Sequence, residues 1–433
     1  MYIRYKKLEK YINGIATGEY MASEEMYDDK KYPSYDSCMS GVIPDEDYSG
    51  EKIKNHPYYN EYFTVDDITK NDVIIFNDFV PKDKLYYNLN NSGWIKYSSA
   101  ISVKTGDKVS FKNTADNVYN STKSIFANLP AKTIYGNLNS MYAGDNFKTD
   151  IRVYQYLYRQ WFDSLNEIVD ASNLVLPATT LANYCYYHLF WYCTSLEKTP
   201  VLPAMELAEG CYDSIFDHCT SLKETPVLPA TKLARSCYRY MFSYCTSLKE
   251  VPVLSAMELA RECYGYMFIN CTALVNAPEL PATALAQDCY KNMFQNCTSL
   301  TKAPELPATT LADSCYYLMF YGCTSLTKAP ELTATNLKYR CYYGMFNRCK
   351  NLKEAPVLPA TTIVSECYST MFYYCERLNY IKCLAETGIN VNDSTKEWVV
   401  WTNEKGTFVK KKGVEWELND DGIPEFWNII EEE

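Results

Sequence analysis

Sixteen of the eighteen cysteines fall into eight pairs with seven residues between partners, from Cys185 and Cys193 to Cys367 and Cys375. Regularly spaced cysteine can bridge, hold a metal or fill a core, and spacing separates these uses. On a helical segment Cys315 and Cys323 would share one face roughly 12 Å apart, too far for a disulfide within a pair. Equivalent cysteines of successive pairs come within reach only if the chain stacks in layers roughly 5 Å apart. C-x7-C lacks the short spacing of zinc ligands, and there are only three histidines, His56, His188 and His218. What remains is a buried, reduced thiol used as a small apolar side chain, with no metal and no cofactor.

Catalysis needs a base within reach of a nucleophile, and three scattered histidines supply no such set, so the chain reads as non-enzymatic. His188 and His218 stand at variable positions and read as surface residues. Glu279, Glu305 and Glu331 recur in register. Such a row could attract a cation, but stacked like charges are costly and a solvated row is expected.

A 26-residue unit positions these groups, repeated eight times between residues 181 and 375 without insertion or deletion. A fixed period of this length marks a solenoid, whose units bury their apolar faces against one another. In the copy beginning at Leu311, residues Leu311, Cys315, Met319 and Cys323 sit at i, i+4, i+8 and i+12, which predicts one face of a helix. Ala312 and Phe320 broaden the stripe. A recurring leucine, Leu196 to Leu378, then leads into A-P-E-L-P or V-P-V-L-P, which suits a strand. Pro200 and its equivalents remove an amide donor from each copy, so only three or four paired residues are expected. PATTLA or PAMELA supplies the N-terminal signal for the next helical stripe.

Comparison of the copies shows which positions vary. Tyr187, His188, Trp191 and Tyr192 in one copy become Asp213, Ser214, Asp217 and His218 in the next. These positions point away from the stripe. Aromatic residues gather there as Tyr187, Trp191, Tyr192, Tyr317, Tyr321, Tyr343, Tyr373 and Tyr374, a candidate exposed surface for binding glycan or protein. Glu197 and Lys198, Lys223 and Glu224, and Lys249 and Glu250 recur elsewhere in the unit and read as solvating pairs.

The phrasing C-x-x-L-x-x-A-P-x-L-P, with an aromatic residue and a cysteine closing the preceding segment, resembles the bacterial leucine-rich repeats of the BspA-like (Treponema pallidum) type. The wording CYxxMFxxCTSLTKAPELPATTLA is similar to repeat proteins of Bacteroidetes and of the phages that infect them. LNNSGWIKYSSAISVKTGDKVSFK and GNLNSMYAGDNF resemble the domain that precedes such repeats. The opening R-Y-K and K-Y of the chain resemble N-terminal segments of Bacteroides phage structural proteins, and GTFVK and GIPxxW resemble segments that follow the repeats.

The chain therefore divides into a head (1–44), a polar linker (45–71), a small β-sandwich (72–150), a degenerate N-cap repeat (151–180), the solenoid (181–378) and a C-terminal cap with strands (379–433). Alternating VIIF, AISV and KVSF, separated by NNSG and TGDK, predict the sandwich. The expected fold is an α/β leucine-rich-repeat-like solenoid of eight coils plus caps, preceded by a small all-β domain. A net charge of -11 and a pI near 5.1 argue against a nucleic-acid groove. The first twenty residues lack the apolar core of a signal peptide, and no stretch reaches a membrane-spanning length.

The resemblance implies a virion structural or adhesion protein of a Bacteroidetes phage, a fibre or tail-associated component. It would contact other virion proteins through its head and a host surface glycan or protein through its solenoid. Homo-oligomers suit such a component. The alternative is a bacterial BspA-like adhesin at the cell surface.

Overall fold

The computed structural model describes residues 8–12, 15–21, 53–113 and 123–433. Within the expected head these include an antiparallel hairpin, β1 (Leu8–Ile12) and β2 (Ile15–Met21). The rest of the head and the start of the expected linker lie outside the described residues.

Alternating apolar residues then build two sheets. One has the order β11-β10-β3-β8-β5-β6 and the other β7-β4-β9. Their strands are β3 (Phe63–Ile68), β4 (Asp72–Phe76), β5 (Leu85–Leu89), β6 (Ile95–Lys96), β7 (Ile101–Val103), β8 (Val109–Asn113), β9 (Phe126–Asn128), β10 (Ala131–Asn137) and β11 (Asp170–Val175). The β region starts earlier than residue 72, because β3 lies inside the segment expected as linker and pairs with both β8 and β10. Gly136, at φ +85°, lets the backbone pass Tyr62, whose carbonyl oxygen would lie 2.1 Å from a Cβ.

β11 belongs to the first coil of the repeat region and runs parallel to β10. On its other side the Ala171 amide donates to the Lys198 carbonyl of the next coil at 3.0 Å. The sheet thus leads into the coil stack, and one apolar core runs from Phe63 to Trp427.

No residue from 151 to 433 is α-helical, so the helical stripe of the expected α/β fold is corrected. Each stripe is a ribbon of consecutive four-residue turns. Every fourth residue is left-handed, with φ of 55° at Tyr184, 57° at His188 and 58° at Tyr192. Cys185, Leu189 and Cys193 donate their amides to the carbonyls of Ala182, Tyr186 and Phe190, three residues back, at 3.1–3.2 Å. The amides between them take the other direction. Tyr186, His188 and Phe190 donate to Cys211, Asp213 and Ile215 of the next coil at 3.0–3.1 Å. Every amide therefore closes a turn or ties two coils together, as buried backbone demands.

Coil spacing explains why a helix loses. Equivalent buried tyrosine rings, Tyr158 to Tyr368, stack at 5.4–6.1 Å. Packed helices need about 8–10 Å between axes. A left-handed residue other than glycine costs about 1 kcal/mol or more, which the inter-coil hydrogen bonds offset.

Prolines interrupt the return leg more than expected. The repeats carry only isolated parallel bridges, such as Asn276 with Lys302 and Glu258 with Ala284, in place of strands of three or four residues. Most copies contain a second proline, as at Pro203, which removes a second donor. Continuous strands appear where the first proline is replaced, in β11 at Leu174 and in β12 (Tyr380–Lys382) at Lys382. β12 continues into a parallel sheet with β13 (Thr407–Lys411) and β14 (Asn428–Glu432).

Two cysteine-free ribbons flank the eight. Tyr156, Gln160 and Ser164 take the left-handed positions of the first, and Asn392, Asp393, Glu397 and Trp401 are left-handed in the last. A phenylalanine column runs from Phe162 to Phe372 beside the tyrosine column. Trp398, fully buried, closes both columns at 6.2 Å from Tyr368 and 6.1 Å from Phe372. Its indole donates to the Gly422 carbonyl at 2.8 Å.

The seventeen described cysteines are free and buried. The second of each pair adds a weak hydrogen bond to the phenylalanine carbonyl of the preceding coil, as from Cys219 Sγ to Phe190 at 3.2 Å. Burial pushes the thiols of Cys211, Cys263, Cys315 and Cys383 up to about 12.

Two outcomes follow. A thiol reagent at mildly alkaline pH leaves these cysteines unlabelled until denaturant unfolds the coils, as counted by intact mass. Trp398→Ala, which opens the end of both ring columns, costs about 3–5 kcal/mol in denaturant unfolding.

Candidate ligand-binding face

Each four-residue turn sends two side chains inward and two outward. Cys185 and Tyr186 enter the core, and Tyr187 and His188 face out. Leu189 and Phe190 then enter, and Trp191 and Tyr192 face out. The outward positions of all coils align into columns, so a neighbour across coils lies 26 residues away. This brings the eight candidate residues onto one ribbon face, in two groups. Tyr187, Trp191 and Tyr192 lie in the first cysteine-bearing coil, and Tyr317, Tyr321, Tyr343, Tyr373 and Tyr374 in the last three.

The expected exposure of these aromatics is corrected. Only Tyr192 is exposed, at 37%, and the other seven are half-buried. The coil spacing is close to ring thickness, so rings in one column cover each other's faces and leave edges and polar tips to solvent. Tyr192, His218 and Tyr244 stack at 4.1 and 4.2 Å, and Tyr317 on Tyr343 at 4.8 Å. The expectation of His188 and His218 as plain surface residues fails for the same reason. His188 stacks with Tyr187 at 3.8 Å and Trp191 at 5.1 Å, and burial with the nearby Arg159 and Arg239 charges pushes its imidazole down to about 4.

Around the first group the structure assembles polar residues that no local motif marks. Asp217 accepts from the Trp191 indole at 3.1 Å and lies 2.7 Å from His218 Nδ1. Asp213, 1% exposed, accepts from Arg239 Nε and Nη2 at 3.1 and 2.9 Å and from Ser214 at 2.8 Å. Arg239 also reaches Glu262 at 3.1 Å. Burial pushes the Asp213 carboxyl up to about 6 against the pull of Arg239, and burial also raises Asp217.

The second group has the same grammar. Arg340 pairs with Glu366 at 2.7 Å and lies over Tyr339 and Tyr343 at 4.8 and 5.6 Å. Arg348 lies 5.8 Å from the ring of Tyr321 and 5.2 Å from that of Tyr374. Tyr374 packs on Tyr373 and on Trp401, itself 64% exposed. Between the groups the face mixes polar and aromatic residues, with Asn296 donating to Asn270 at 3.0 Å and Tyr240 stacked on Tyr266 at 4.4 Å.

One signal in the sequence could have found these partners. Adding 26 to Asp213 gives Arg239, to Trp191 gives Asp217 and to Arg340 gives Glu366. The acidic row Glu279, Glu305 and Glu331 is exposed. Among the described residues no group of three or more His, Cys, Asp or Glu could hold a metal, and no helix is long and apolar enough to cross a membrane.

Paired charges and interlocked rings on stacked coils define a repeat protein with a preorganised outer face. Residues 166–301 and 280–392 match the BspA type leucine rich repeat region in six copies, together just over half of the chain. The chain belongs to that family, and repeats of this kind suggest a surface or adhesion-type protein. No curated protein matches the chain.

The raised carboxyl gives a signed prediction. Asp213 has a folded value of about 6 against the ordinary 3.8, so its contribution to stability is full below 3.8 and is lost as pH rises through about 6. The melting temperature of the native chain, compared with Asp213→Asn, therefore falls across that window. Carboxyl-carbon NMR should place the titration near 6.

Proposed function

We propose that the chain is a non-enzymatic adhesion protein whose outer ribbon face binds a host-surface glycan or protein. One observation carries this reading: the outward aromatics are held in register by stacked backbone, with Asp213 and Glu366 beside them paired to Arg239 and Arg340. A surface fixed before the ligand arrives loses little freedom on binding. The carboxylates there are used up in holding rings and arginine. Asp217 is engaged by Trp191, His218 and Ser243, and Asp213 by Arg239 and Ser214.

In this reading the protein is carried on the particle of a Bacteroidetes phage, as a fibre or tail-associated component, and its N-terminal segment contacts other virion proteins. The wording of the head and of residues 72–150 supports that carrier. The BspA-type family favours a second reading, an adhesin at the bacterial cell surface. Neither needs nucleic acid or membrane insertion, in keeping with the net charge of -11.

Peptide mass spectrometry of purified particles beside washed cell envelope separates the two carriers. Stoichiometric recovery in particles supports the virion, and recovery only in the envelope sinks it. In either setting Trp191→Ala and Tyr374→Ala should each weaken attachment to target cells by more than roughly tenfold while the chain stays folded. Unchanged attachment by both variants would refute the ribbon face as the binding surface.

A further inference from the structure

Among the described residues β14 has one neighbour, β13, and its other edge is open. We propose that this edge is a dimer interface, where β14 of a second copy of the chain pairs antiparallel across a twofold axis. The two coil stacks then join at their C-terminal ends, and the three-stranded sheets β12-β13-β14 of both copies become one sheet of six strands. The ribbon face takes no part in this contact.

The hydrogen bonding of β14 sets the register. Asn428 donates its amide to the Gly406 carbonyl and the Glu432 carbonyl accepts from Lys412, both at 2.9 Å, so these two residues face β13. Residues that face one neighbour of a parallel ladder alternate, which turns Ile430 toward β13 as well. The amides and carbonyls of Ile429 and Glu431 are left on the open edge. An antiparallel copy with the axis at Ile430 sets Ile429 of each chain opposite Glu431 of the other, and each such pair exchanges both of its bonds.

Charge selects the same arrangement. Acidic residues ordinarily guard an edge against pairing. Here each is already held within its own chain, Glu431 by Lys410, Glu432 by Lys382 at 2.7 Å and Glu433 by Lys412 at 2.9 Å. The antiparallel register puts Glu431 opposite Ile429 and Glu432 opposite Asn428, so no carboxylate meets another. Parallel, in-register pairing would line glutamate against glutamate, which is destabilising.

The surface around the strand is also one that a partner would cover. β14 contains no proline or glycine, and Ile429 and Ile430 are 39% and 45% exposed. At the axis the two Ile430 side chains form a non-hydrogen-bonded pair, where opposed side chains come closest. Phe426, just before the strand, is 76% exposed, the most of the large apolar residues described. Trp401, in the last ribbon, stacks on Tyr374 of the preceding coil and stays 64% exposed. A terminal coil needs a polar outer face to remain soluble alone, and this end keeps apolar residues instead.

The test is sedimentation of the full chain across a dilution series, which should show a dimer that falls to monomer on dilution. Ile430→Asp and Ile430→Lys each set two like charges face to face at the axis and should weaken the dimer by roughly 100-fold. Mixed, the two variants set opposite charges face to face and should associate again as heterodimers. Both change an exposed side chain, so the melting temperature of the monomer should hold. Ile429→Pro removes an amide that the fold does not use and should also release monomer. If that variant melts early, the charge variants decide alone.

A native chain that stays monomeric throughout overturns the proposal and leaves the edge to a strand of another protein. A dimer that survives both charge variants overturns it too, since the contact would then lie on another surface. Charge variants that stay apart when mixed would remove the axis from Ile430 and with it the proposed pairing.

Discussion

Alternate amides of each ribbon donate to the coil beneath, and the rest of the fold depends on that hydrogen bonding. It sets a rise of about one backbone thickness per coil, and the rise then decides which side chains fit. Helices are too wide for it, so the apolar stripe folds as turns with a left-handed residue at every fourth position. Tyrosine, asparagine, serine and glycine are commonest at those positions, and charged residues such as Glu262 and Arg340 and Leu318, unbranched at Cβ, also take them. Thr370 is their only β-branched occupant in the cysteine-bearing coils. That agrees with the steric cost of branching where φ is positive.

The same rise turns single residues into columns. Phenylalanine and tyrosine rings stack inside, and cysteine sits beside them where the space is small and a backbone carbonyl can take the thiol proton. Ends become the weak points of such a stack, since a column needs a last ring covered by something else. The two sheets of the β region cover one end, through Phe63 and Phe126 against Phe162 at 5.7 and 6.5 Å. Trp398, backed by Trp416 at 5.6 Å, covers the other. Outside, the columns pack rings onto rings and pair Asp213, Asp217 and Glu366 with a cation or donor one coil away. Recognition then falls to edges and polar tips.

Much of this was legible in the chain and some of it was not. The repeat boundaries, the inward residues and the proline limit on strands follow from local pattern. The proline argument even explains why β11 and β12 form where Leu174 and Lys382 replace the proline. Two inward and two outward residues in strict alternation was the sign against a helix, because a helix rotates by about 40° with each four residues and drifts off its face over twelve. The Asp213 and Asp217 clusters were hidden for a different reason: Arg239 and the Trp191 indole reach these carboxylates across coils, and nothing within one copy shows it.

The sequence by itself determined the period, the composition of the core and the positions of the outward residues, since these repeat every 26 residues and depend on near neighbours in the chain. Only the tertiary structure decided that the stripe is a turn ribbon, that its aromatics are half-buried ladders, and that the β region shares the coils' core. Each of these depends on contacts between segments far apart in the chain, above all the distance at which one coil settles on the next.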